Sequence, residues 1–511
     1  MLTQLLTEAV SNHLEKTAIL YDKTKISYQD LFSKIKGFSK GLSSISVVKG
    51  DCIALFLPNC PEFIVSFYAI AFLNGIVLPL NHLFKAEEVS YYLNDSDAKV
   101  IITDSQRADI CRRIISDLGK KIELIVVDQA QAPAKYFYDL ILPEGREVYE
   151  STLPFEGIVL YQYSSGSTGR PKKVCRTQKN LYHEVRNFAQ SVKVAPSDNI
   201  LCTVPLYHAH GLGNCLLAAT CNGATLVILE QSTKNGVSVE VPFVFKCPRI
   251  LELIKAEKIT ILPGVPYIFN SLAETPVSIQ VDLSTLKLCI CAGNFLGKDV
   301  FNKFLKRFGV AVRQLYGCTE AGAMCINLDE NPEQTWNSVG TPLKNVEIKI
   351  IDEQGNELPV GQSGEVVIKS QALTNGYYNI PDLSQQAFKD GAFFTGDLGK
   401  LDEAGRLYIT GRKKILIDTG GRKVDPIEIE DILSTHPQVK EAVVVGVKGT
   451  HAGELVKAVI VLKEPEQCDE KIIFSYCKER LAEFKVPKMI EFRDEIPKSP
   501  LGKIMRKALV M

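Results

Sequence analysis

The stretch YSSGSTGRPKKV occupies residues 163–174 and interrupts a chain in which apolar runs otherwise alternate with helical patterns. Its glycines and small hydroxylic residues let main-chain N–H groups approach an anion closely, and its lysines supply positive charge. A phosphate is therefore the expected ligand. The phosphate-loop pattern GxxxxGK[ST] does not fit, because Arg170 and Pro171 follow Gly169 where a Lys is needed. The dinucleotide-binding pattern GxGxxG does not fit either, because Leu216 stands where its third glycine is needed. A plain surface turn is the alternative for the stretch taken alone.

Continuous apolar runs alternate with segments of helical apolar spacing on both sides of this loop. Before it, CIALFLPN (52–59) is typical of a buried strand, and PEFIVSFYAIAFLNG (61–75) is typical of a helix. After it, NILCTVPL (199–206) and LKLCICAG (286–293) resume the pattern. Strands that alternate with helices predict mainly parallel sheets covered by helices.

The pattern changes after residue 340. NVEIKIID (345–352) and GEVVIKS (364–370) are short strand patterns separated by turn residues, so they predict a small antiparallel part. A chain of 511 residues is too long to fold around a single hydrophobic core, so more than one domain is expected. We therefore predict an α/β fold with a large N-terminal domain, residues 1–411, and a small α+β C-terminal domain, residues 412–511.

The C-terminal domain has its own helix and strand signals. Asp425 followed by Pro426 and Glu428 predicts a helix start, with Asp as the N-cap and Pro in the first turn. The strand patterns EAVVVGV (441–447) and VKAVIVL (456–462) follow.

Composition excludes several classes of protein. The 59 basic and 59 acidic residues balance, so no nucleic-acid partner is expected. No apolar run reaches the roughly 18 residues of a membrane span, and the first residues carry no signal-peptide pattern. The 14 cysteines include no CxxC and the seven histidines show no zinc spacing, so reduced thiols in a cytoplasmic protein are expected.

Four further stretches carry chemistry: QLYGCTEAG (314–322), FFTGDLG (393–399), YITGRKKILIDTGGRKVDPIEIE (408–430) and PKSPLGKIMRKAL (497–509). Together with the quoted loop, and in this order, they resemble the core motifs of the adenylate-forming superfamily. That superfamily comprises acyl- and aryl-CoA synthetases, peptide-synthetase adenylation domains and luciferases. The resemblance spans about residues 25–508.

The resemblance implies that ATP, with Mg²⁺, activates a carboxylic acid. Hydroxide is a poor leaving group, so the acid is joined to AMP and pyrophosphate departs. Negative charge gathers at the α-phosphate in the transition state. Catalysis then depends mainly on positioning and on cationic stabilisation.

Five residues match the positions of the family that act closest to the reaction. Lys503 matches the catalytic lysine that bridges the substrate carboxylate and the α-phosphate. Thr319 would touch the α-phosphate, and Glu320 matches the acid associated with Mg²⁺, which prefers such an oxygen ligand. Asp397 and Arg412 match the positions that hold the ribose hydroxyls.

Other matched positions would surround the nucleotide. Lys172 either caps the triphosphate or is structural. Adenine would be flanked by Tyr316, with Gly317 beside it, and by Gly293 and Asn294. The loop residues expected to grip the β- and γ-phosphates are Ser164, Ser165, Gly166, Ser167, Thr168 and Gly169.

One active site runs two reactions in the resembling family, because the small domain rotates after adenylation. Lys414 matches the hinge position of that rotation. The resemblance therefore implies that residues 412–511 form a mobile lid.

The chain departs from the family pattern at several positions. Lys173 stands where Gly is usual, and Gln178 stands where His is common, which puts the mobility of the loop in doubt. Ile415 replaces an acid after the hinge. Arg422 and Lys423 stand near the surface used in the second step, which puts the acceptor in doubt.

The stretch VPLYHAHGLG (204–213) bears on the acid. Amino-acid adenylation domains carry an Asp beside an aromatic residue here, whereas this chain has Tyr207 and then His208. A buried ammonium without a partner costs roughly 2–5 kcal/mol, so a free amino acid is disfavoured. The stretch resembles the corresponding segment of fatty acyl- and aryl-CoA synthetases, which implies an apolar aliphatic or aryl acid. His208 is either a gate on the acid pocket or a core histidine.

The sequence thus predicts an acid–thiol ligase that makes an acyl-adenylate and passes the acyl group to a thiol. Coenzyme A is the expected acceptor. A stand-alone enzyme that loads an acyl or aminoacyl group onto the phosphopantetheine of an acyl carrier protein is the alternative. A catalytically dead nucleotide sensor and a luciferase-like oxygenase are the other hypotheses, since fold alone does not fix function.

Overall fold

The computed structural model describes residues 1–129, 132–143, 157–164, 171–234, 237–276, 278, 281–412, 416–449, 453–463, 468–497 and 504–510. The chain divides into two compact units. The first unit comprises Met1–His82, Leu93–Gln162 and Lys173–Gly411, and the second comprises Leu83–Tyr92, Tyr163–Lys172 and Arg412–Met511.

The strands are numbered in chain order. They are β1 (Thr17–Tyr21), β2 (Thr24–Ser27), β3 (Cys52–Phe56), β4 (Ile76–Pro79), β5 (Ala98–Thr103), β6 (Glu123–Val126), β7 (Lys135–Tyr136), β8 (Ile158–Ser164), β9 (Lys172–Thr177), β10 (Asn199–Cys202), β11 (Thr225–Ile228), β12 (Ser232–Lys234), β13 (Val237–Val239), β14 (Ile261–Gly264), β15 (Leu288–Cys291), β16 (Val312–Cys318), β17 (Gly322–Ile326), β18 (Thr341–Pro342), β19 (Val346–Ile351), β20 (Gly364–Ser370), β21 (Phe388–Lys389), β22 (Ala392–Leu401), β23 (Leu407–Arg412), β24 (Ile417–Asp418), β25 (Lys423–Val424), β26 (Val439–Lys448), β27 (Glu454–Leu462) and β28 (Met489–Phe492).

The helices follow the same convention. They are α1 (Leu2–Asn12), α2 (Tyr28–Ser44), α3 (Pro61–Phe72), α4 (Ala86–Asp95), α5 (Ser105–Leu118), α6 (Gln178–Val192), α7 (Ala209–Gly211), α8 (Ala218–Thr220), α9 (Cys247–Ala256), α10 (Pro266–Ala273), α11 (Lys298–Phe308), α12 (Pro381–Ala387), α13 (Pro426–Ser434) and α14 (Glu470–Arg480). A π-helical segment, Leu212–Leu217, joins α7 to α8, and short 3₁₀ turns lie at Tyr138–Leu140, Phe243–Lys246 and Arg506–Leu509.

Two large sheets carry the core. One has the order β7-β6-β5-β3-β4-β8-β9, and its pairs from β7 to β8 are parallel. The other has the order β18-β17-β16-β15-β14-β10-β11-β1-β2, with parallel pairing from β16 to β1 and antiparallel pairs at both ends. Strands β3 and β15 are buried along their whole length, and β10 is buried from its second residue onward. Burial on both faces is what their continuous apolar runs predict. The predicted α/β class is confirmed.

A five-stranded antiparallel sheet follows, as the change of pattern after residue 340 predicts. Its order is β19-β20-β22-β21, and β23 pairs with β22. Asp397 lies within β22, in this sheet.

Helix α6 begins directly after β9, and its cap explains why. The Thr177 hydroxyl accepts from the Asn180 main-chain N–H at 3.1 Å, and the Asn180 side-chain oxygen accepts from the Thr177 N–H at 2.9 Å. This reciprocal cap ends the strand and starts the helix within one residue. It therefore fixes β9, the strand that follows the quoted loop.

The C-terminal segment of the second unit is α+β, as predicted. Strands β26 and β27 pair antiparallel, and β28 joins β27 in parallel. Asp425 caps α13, because its Oδ1 accepts from the Ile427 N–H at 2.9 Å and Pro426 occupies the first helical position. Ile429 and Val444 are fully buried in this unit's apolar core.

No helix within the described residues combines the length and apolarity needed to cross a membrane. All fourteen cysteines are free thiols. Burial raises the pKa of most of them, to about 12 for Cys52, Cys175 and Cys289.

Candidate active site

Three parallel strands of the larger sheet lead to predicted site residues at the same edge. Strand β10 leads into the segment with His208, β15 leads to Gly293 and Asn294, and β16 leads to Thr319. Ligands of parallel sheets bind beyond the carboxyl ends of the strands. His208 and Gly293 are exposed there, so this edge is open to a ligand.

Glu320 lies in the tight turn of residues 319–321 between β16 and β17, here named the Glu320 turn. A side chain at Gly317 would bring a Cβ to 2.5 Å from the carbonyl oxygen of Gly322, and Gly322 itself has a φ of +74°. Only glycine fits both positions. The turn therefore projects Thr319 and Glu320 from a backbone that has little freedom.

The Glu320 carboxylate is buried, with 7% of the residue exposed. The Tyr377 hydroxyl donates to its Oε1 at 3.0 Å, and the Glu320 carbonyl accepts from the Thr374 N–H at 2.9 Å. Tyr377 is a site residue that sequence reasoning missed. The consecutive tyrosines 377 and 378 after a glycine are the only local signal for it.

Asp397 is held from two directions. Its N–H donates to the Thr395 hydroxyl at 3.0 Å, and its Oδ2 accepts from the Tyr316 hydroxyl at 2.5 Å. Gly396, with a φ of +73°, makes the bend before it. Burial, and then the Asp397 charge, raises the pKa of the Tyr316 phenol well above its usual value, so Tyr316 remains a donor.

The residues after β15 form a turn. Gly293 has a φ of +84°, and the Asn294 side-chain oxygen accepts from the Phe295 N–H at 2.8 Å. Because β15 and β16 are parallel neighbours, this turn and Tyr316 lie on adjacent strands. The structure thus brings the predicted adenine-flanking residues to one edge.

His208 is exposed and caps α7, where its Nδ1 accepts from the His210 N–H at 3.3 Å. The core-histidine interpretation of His208 is therefore wrong. The buried histidine is His210, which bonds the Gly264 carbonyl through Nε2 at 3.1 Å and Asn214 through Nδ1 at 2.9 Å. Burial, and then the His208 charge, lowers the pKa of His210 to about 4, so it stays neutral at physiological pH.

The quoted loop connects neighbouring strands. Ser164 ends β8 and Lys172 begins β9. Arg412 ends β23, and its side chain is outside the described part. The other loop predictions, Ser165, Gly166, Ser167, Thr168 and Gly169, lie outside the described residues, as do Lys414, Lys503 and Ile415.

Lys173 and Gln178, two departures from the family pattern, have structural partners. The Lys173 ammonium lies 3.0 Å from Asp95 Oδ2 and 4.3 Å from the centre of the Tyr378 ring. The Gln178 side chain accepts from the Thr3 hydroxyl at 3.2 Å and donates to a main-chain carbonyl in α3. Both residues therefore anchor the strand and helix that follow the loop.

Comparison with known proteins gives a consistent result. Residues 6–378 match the AMP-binding enzyme family, and residues 428–503 match the AMP-binding enzyme C-terminal domain. The chain is 30% identical to a long-chain-fatty-acid–CoA ligase of Bacillus subtilis (strain 168), over 100% of this chain and 94% of that protein. It is 32% identical to 4-coumarate–CoA ligase 3 of Oryza sativa subsp. japonica, over 94% and 86%.

A solved structure shares the whole fold. It is a double mutant of o-succinylbenzoate CoA synthetase from Bacillus subtilis bound with a product analogue, with a TM-score of 0.86 and 26% identity. The match covers 99% of this chain and 98% of the other. The chain belongs to the AMP-binding enzyme family of the adenylate-forming superfamily, among its AMP-forming acid–thiol ligases.

Proposed function

We propose that this enzyme activates an apolar aliphatic or aryl carboxylic acid with ATP and transfers the acyl group to coenzyme A. A carboxylate oxygen of the acid attacks the α-phosphorus, and the bond from that phosphorus to the β-phosphate bridging oxygen breaks. Pyrophosphate leaves. The thiolate of the acceptor then attacks the acyl carbon, and AMP leaves with the electron pair of the broken bond.

The observation that carries the proposal is the pair of held carboxylates in the first unit. Asp397 is fixed by Tyr316 and Glu320 is fixed by Tyr377. A fixed carboxylate can accept hydrogen bonds from both ribose hydroxyls, which is the role proposed for Asp397. Gly293, with an exposed main chain beside β16, leaves room for the adenine ring.

Glu320 is the residue proposed to hold Mg²⁺. A single buried carboxylate suits this cation, which keeps several waters and is bound by one or two carboxylates together with substrate phosphates. Within the described residues, no group of three or more His, Cys, Asp or Glu is arranged to hold a metal by itself. The cation would supply charge neutralisation at the phosphates, and Thr319 would contact the α-phosphate from the same turn.

The predicted catalytic and loop residues complete the proposed site. Lys503 would stabilise the charge that develops at the α-phosphate, and Lys414 would serve as the hinge of the lid. Arg412 would assist Asp397 at the ribose. The loop with Ser164 at its start and Lys172 at its end would hold the β- and γ-phosphates, because small residues expose main-chain N–H donors.

The acid is proposed to bind beside the segment that begins at His208. Residues 209–221 are almost entirely buried and mostly apolar, which suits an alkyl or aryl group nearby. Tyr207 and His208 supply no carboxylate for an ammonium. The relatives named for long-chain fatty acids and for 4-coumarate support this class of acid.

Coenzyme A is supported as the acceptor by the names of the relatives, whereas a carrier protein has no support among them. The free cysteines suit a reducing compartment, and we place the reaction in the cytoplasm.

The test is a pyrophosphate-release assay over fatty, aryl and amino acids, with and without coenzyme A. We expect release with at least one fatty or aryl acid, and accumulation of its thioester only when coenzyme A is present. Nucleotide binding without pyrophosphate release from any acid would instead favour a nucleotide sensor. Release that depends on an amino acid would overturn the proposed class of acid.

A further inference from the structure

Arg176 lies in β9 and is almost fully buried, with 1% of the residue exposed. Its Nη1 donates to the carbonyl oxygen of Thr319 at 3.0 Å. Its Nη2 donates to the carbonyl oxygen of Ala372 at 3.0 Å and to Glu184 Oε2 at 2.8 Å. One guanidinium therefore joins the Glu320 turn to the segment that leads to Tyr377.

Hydrogen bonds of Thr374 tie the same three elements together. Its N–H donates to the Glu320 carbonyl at 2.9 Å, and its hydroxyl donates to the Cys175 carbonyl at 2.5 Å. Strand β9, the Glu320 turn and residues 372–377 are thus fixed to one another on both sides of Glu320. Tyr377 extends from the last of these elements to the Glu320 carboxylate.

Glu184 holds the guanidinium in place from α6. Its side chain is 5% exposed and packs against two glycines. A Cβ at Gly213 would lie 2.2 Å from Glu184 Oε1, and a Cβ at Gly322 would lie 2.1 Å from Glu184 Cδ. The space is shaped around this carboxylate.

The pair is electrically balanced, so it adds little net field at a bound triphosphate. Its effect is therefore geometric. The planar guanidinium can reach two carbonyls and a carboxylate in one fixed arrangement, which the single ammonium of lysine cannot reproduce.

We infer that Arg176, held by Glu184, is a positioning residue that sets the Glu320 turn for Mg²⁺ and ATP. The inference rests on the proposed function of Glu320. Partners that orient a metal ligand typically change metal affinity by about 10–100-fold when they are removed.

The experiment compares the wild type with the double variant Arg176→Met/Glu184→Met. Replacing a buried ion pair by apolar side chains of similar volume often leaves the fold intact. ATP is titrated calorimetrically over a series of Mg²⁺ concentrations with no acid present. We expect the Mg²⁺ concentration that gives half-maximal ATP binding to rise about tenfold in the double variant.

Two further variants distinguish the geometric role of the Arg176 guanidinium from the mere presence of a balanced ion pair. Arg176→Lys keeps the charge and loses the fork, so we expect a shift in the same direction of about threefold or more. Lys287→Met removes a different ion pair, in which Lys287 Nζ lies 2.6 Å from Asp198 Oδ2. That control should lower the melting temperature without moving the Mg²⁺ midpoint.

A wild-type Mg²⁺ midpoint in folded Arg176→Lys and in the double variant overturns the inference. If the double variant does not fold, Arg176→Lys decides alone. Wild-type protein that binds ATP in a Mg²⁺-dependent way but releases no pyrophosphate contradicts the proposed function and leaves the positioning role intact. ATP binding by the wild type without any Mg²⁺ dependence overturns the positioning role of Arg176 and the proposed role of Glu320 in holding Mg²⁺.

Discussion

The Tyr316 hydroxyl donates to Asp397 Oδ2 at 2.5 Å and joins strands that belong to different sheets of the first unit. The sequence placed one of these residues beside adenine and the other beside ribose, without any link between them. Hydrogen bonds to an ionised acceptor are short and stronger than neutral ones. The two proposed nucleotide contacts therefore depend on each other.

Tyr316→Phe keeps the ring and removes this bond. We expect the KM for ATP to rise about fivefold, equivalent to about 1 kcal/mol, with a smaller effect on kcat. The measurement is steady-state pyrophosphate release over a range of ATP concentrations. Tyr408→Phe, which removes a hydroxyl that donates to Asp402 at 3.2 Å, is the matched control and should leave the KM unchanged.

Asp397→Ala removes the acceptor itself. Since ribose contacts bind the ground state and the transition state alike, the variant should raise the KM for ATP rather than lower kcat. Direct ATP titration should show weaker binding than in Tyr316→Phe, because the carboxylate is lost as well as its partner. Unchanged nucleotide affinity would remove Asp397 from the site.

Lys503→Ala should abolish adenylate formation and leave the fold intact. The residue is expected to act on charge that exists only in the transition state, so its loss should cost about 3–4 kcal/mol, or roughly 10²–10³ in rate. Pyrophosphate exchange measures this step alone. Near wild-type exchange would show that another group performs the role.

Lys414→Pro tests the proposed hinge. Proline fixes φ near about −65° and removes an N–H donor, so one arrangement of the lid should be locked. Adenylation should survive at a fair fraction of wild type, while thioester formation should fall by more than about tenfold, a barrier rise of roughly 1.4 kcal/mol. Equal losses in both half-reactions, measured on one preparation, would argue for a fixed loop.

Asp425→Asn tests a pH effect on stability. Burial, and to a smaller extent the charges of Glu428 and Glu430, raises the pKa of the Asp425 carboxyl to about 6. Its Oδ2 is buried and has no hydrogen-bond partner within the described residues. The pKa of Asp425 in the folded protein lies above its value in the unfolded chain. Its contribution to the stability of the fold is therefore fully present below about pH 4 and is lost as the pH rises through about 6.

Asparagine caps a helix equally well and does not ionise. The variant should therefore be more stable than the wild type by about 1–2 kcal/mol at pH 7.5 and equally stable at pH 4. Thermal unfolding at the two pH values provides the comparison. A stability difference that is the same at both values would exclude titration of Asp425 as its cause.

Local signals explain what the sequence predicted correctly. The apolar runs that became β3, β10 and β15 are short and continuous, which favours buried strands, and Asp425 followed by Pro426 is a favourable helix start. Each of these signals is contained within a few neighbouring residues.

Contacts between distant parts of the chain could not be read in this way. Tyr377 is separated from Glu320 by 57 residues, and Arg176 is separated from Thr319 by 143. Which side chains meet depends on how the sheets are ordered. For the same reason the partners of Lys173 could not be predicted, because its buried ammonium lies against Asp95 and two tyrosine rings.

The packing of Glu184 between Gly213 and Gly322 limits how related sequences can vary. A shorter side chain at position 184 would open space for alanine at position 213, so these two positions should change together. Position 322 differs, because its φ of +74° disfavours any side chain even when the space is free. Among relatives, we expect glycine to be retained at position 322 even where the acid at position 184 has been replaced. We expect alanine at position 213 only in sequences that lack that acid.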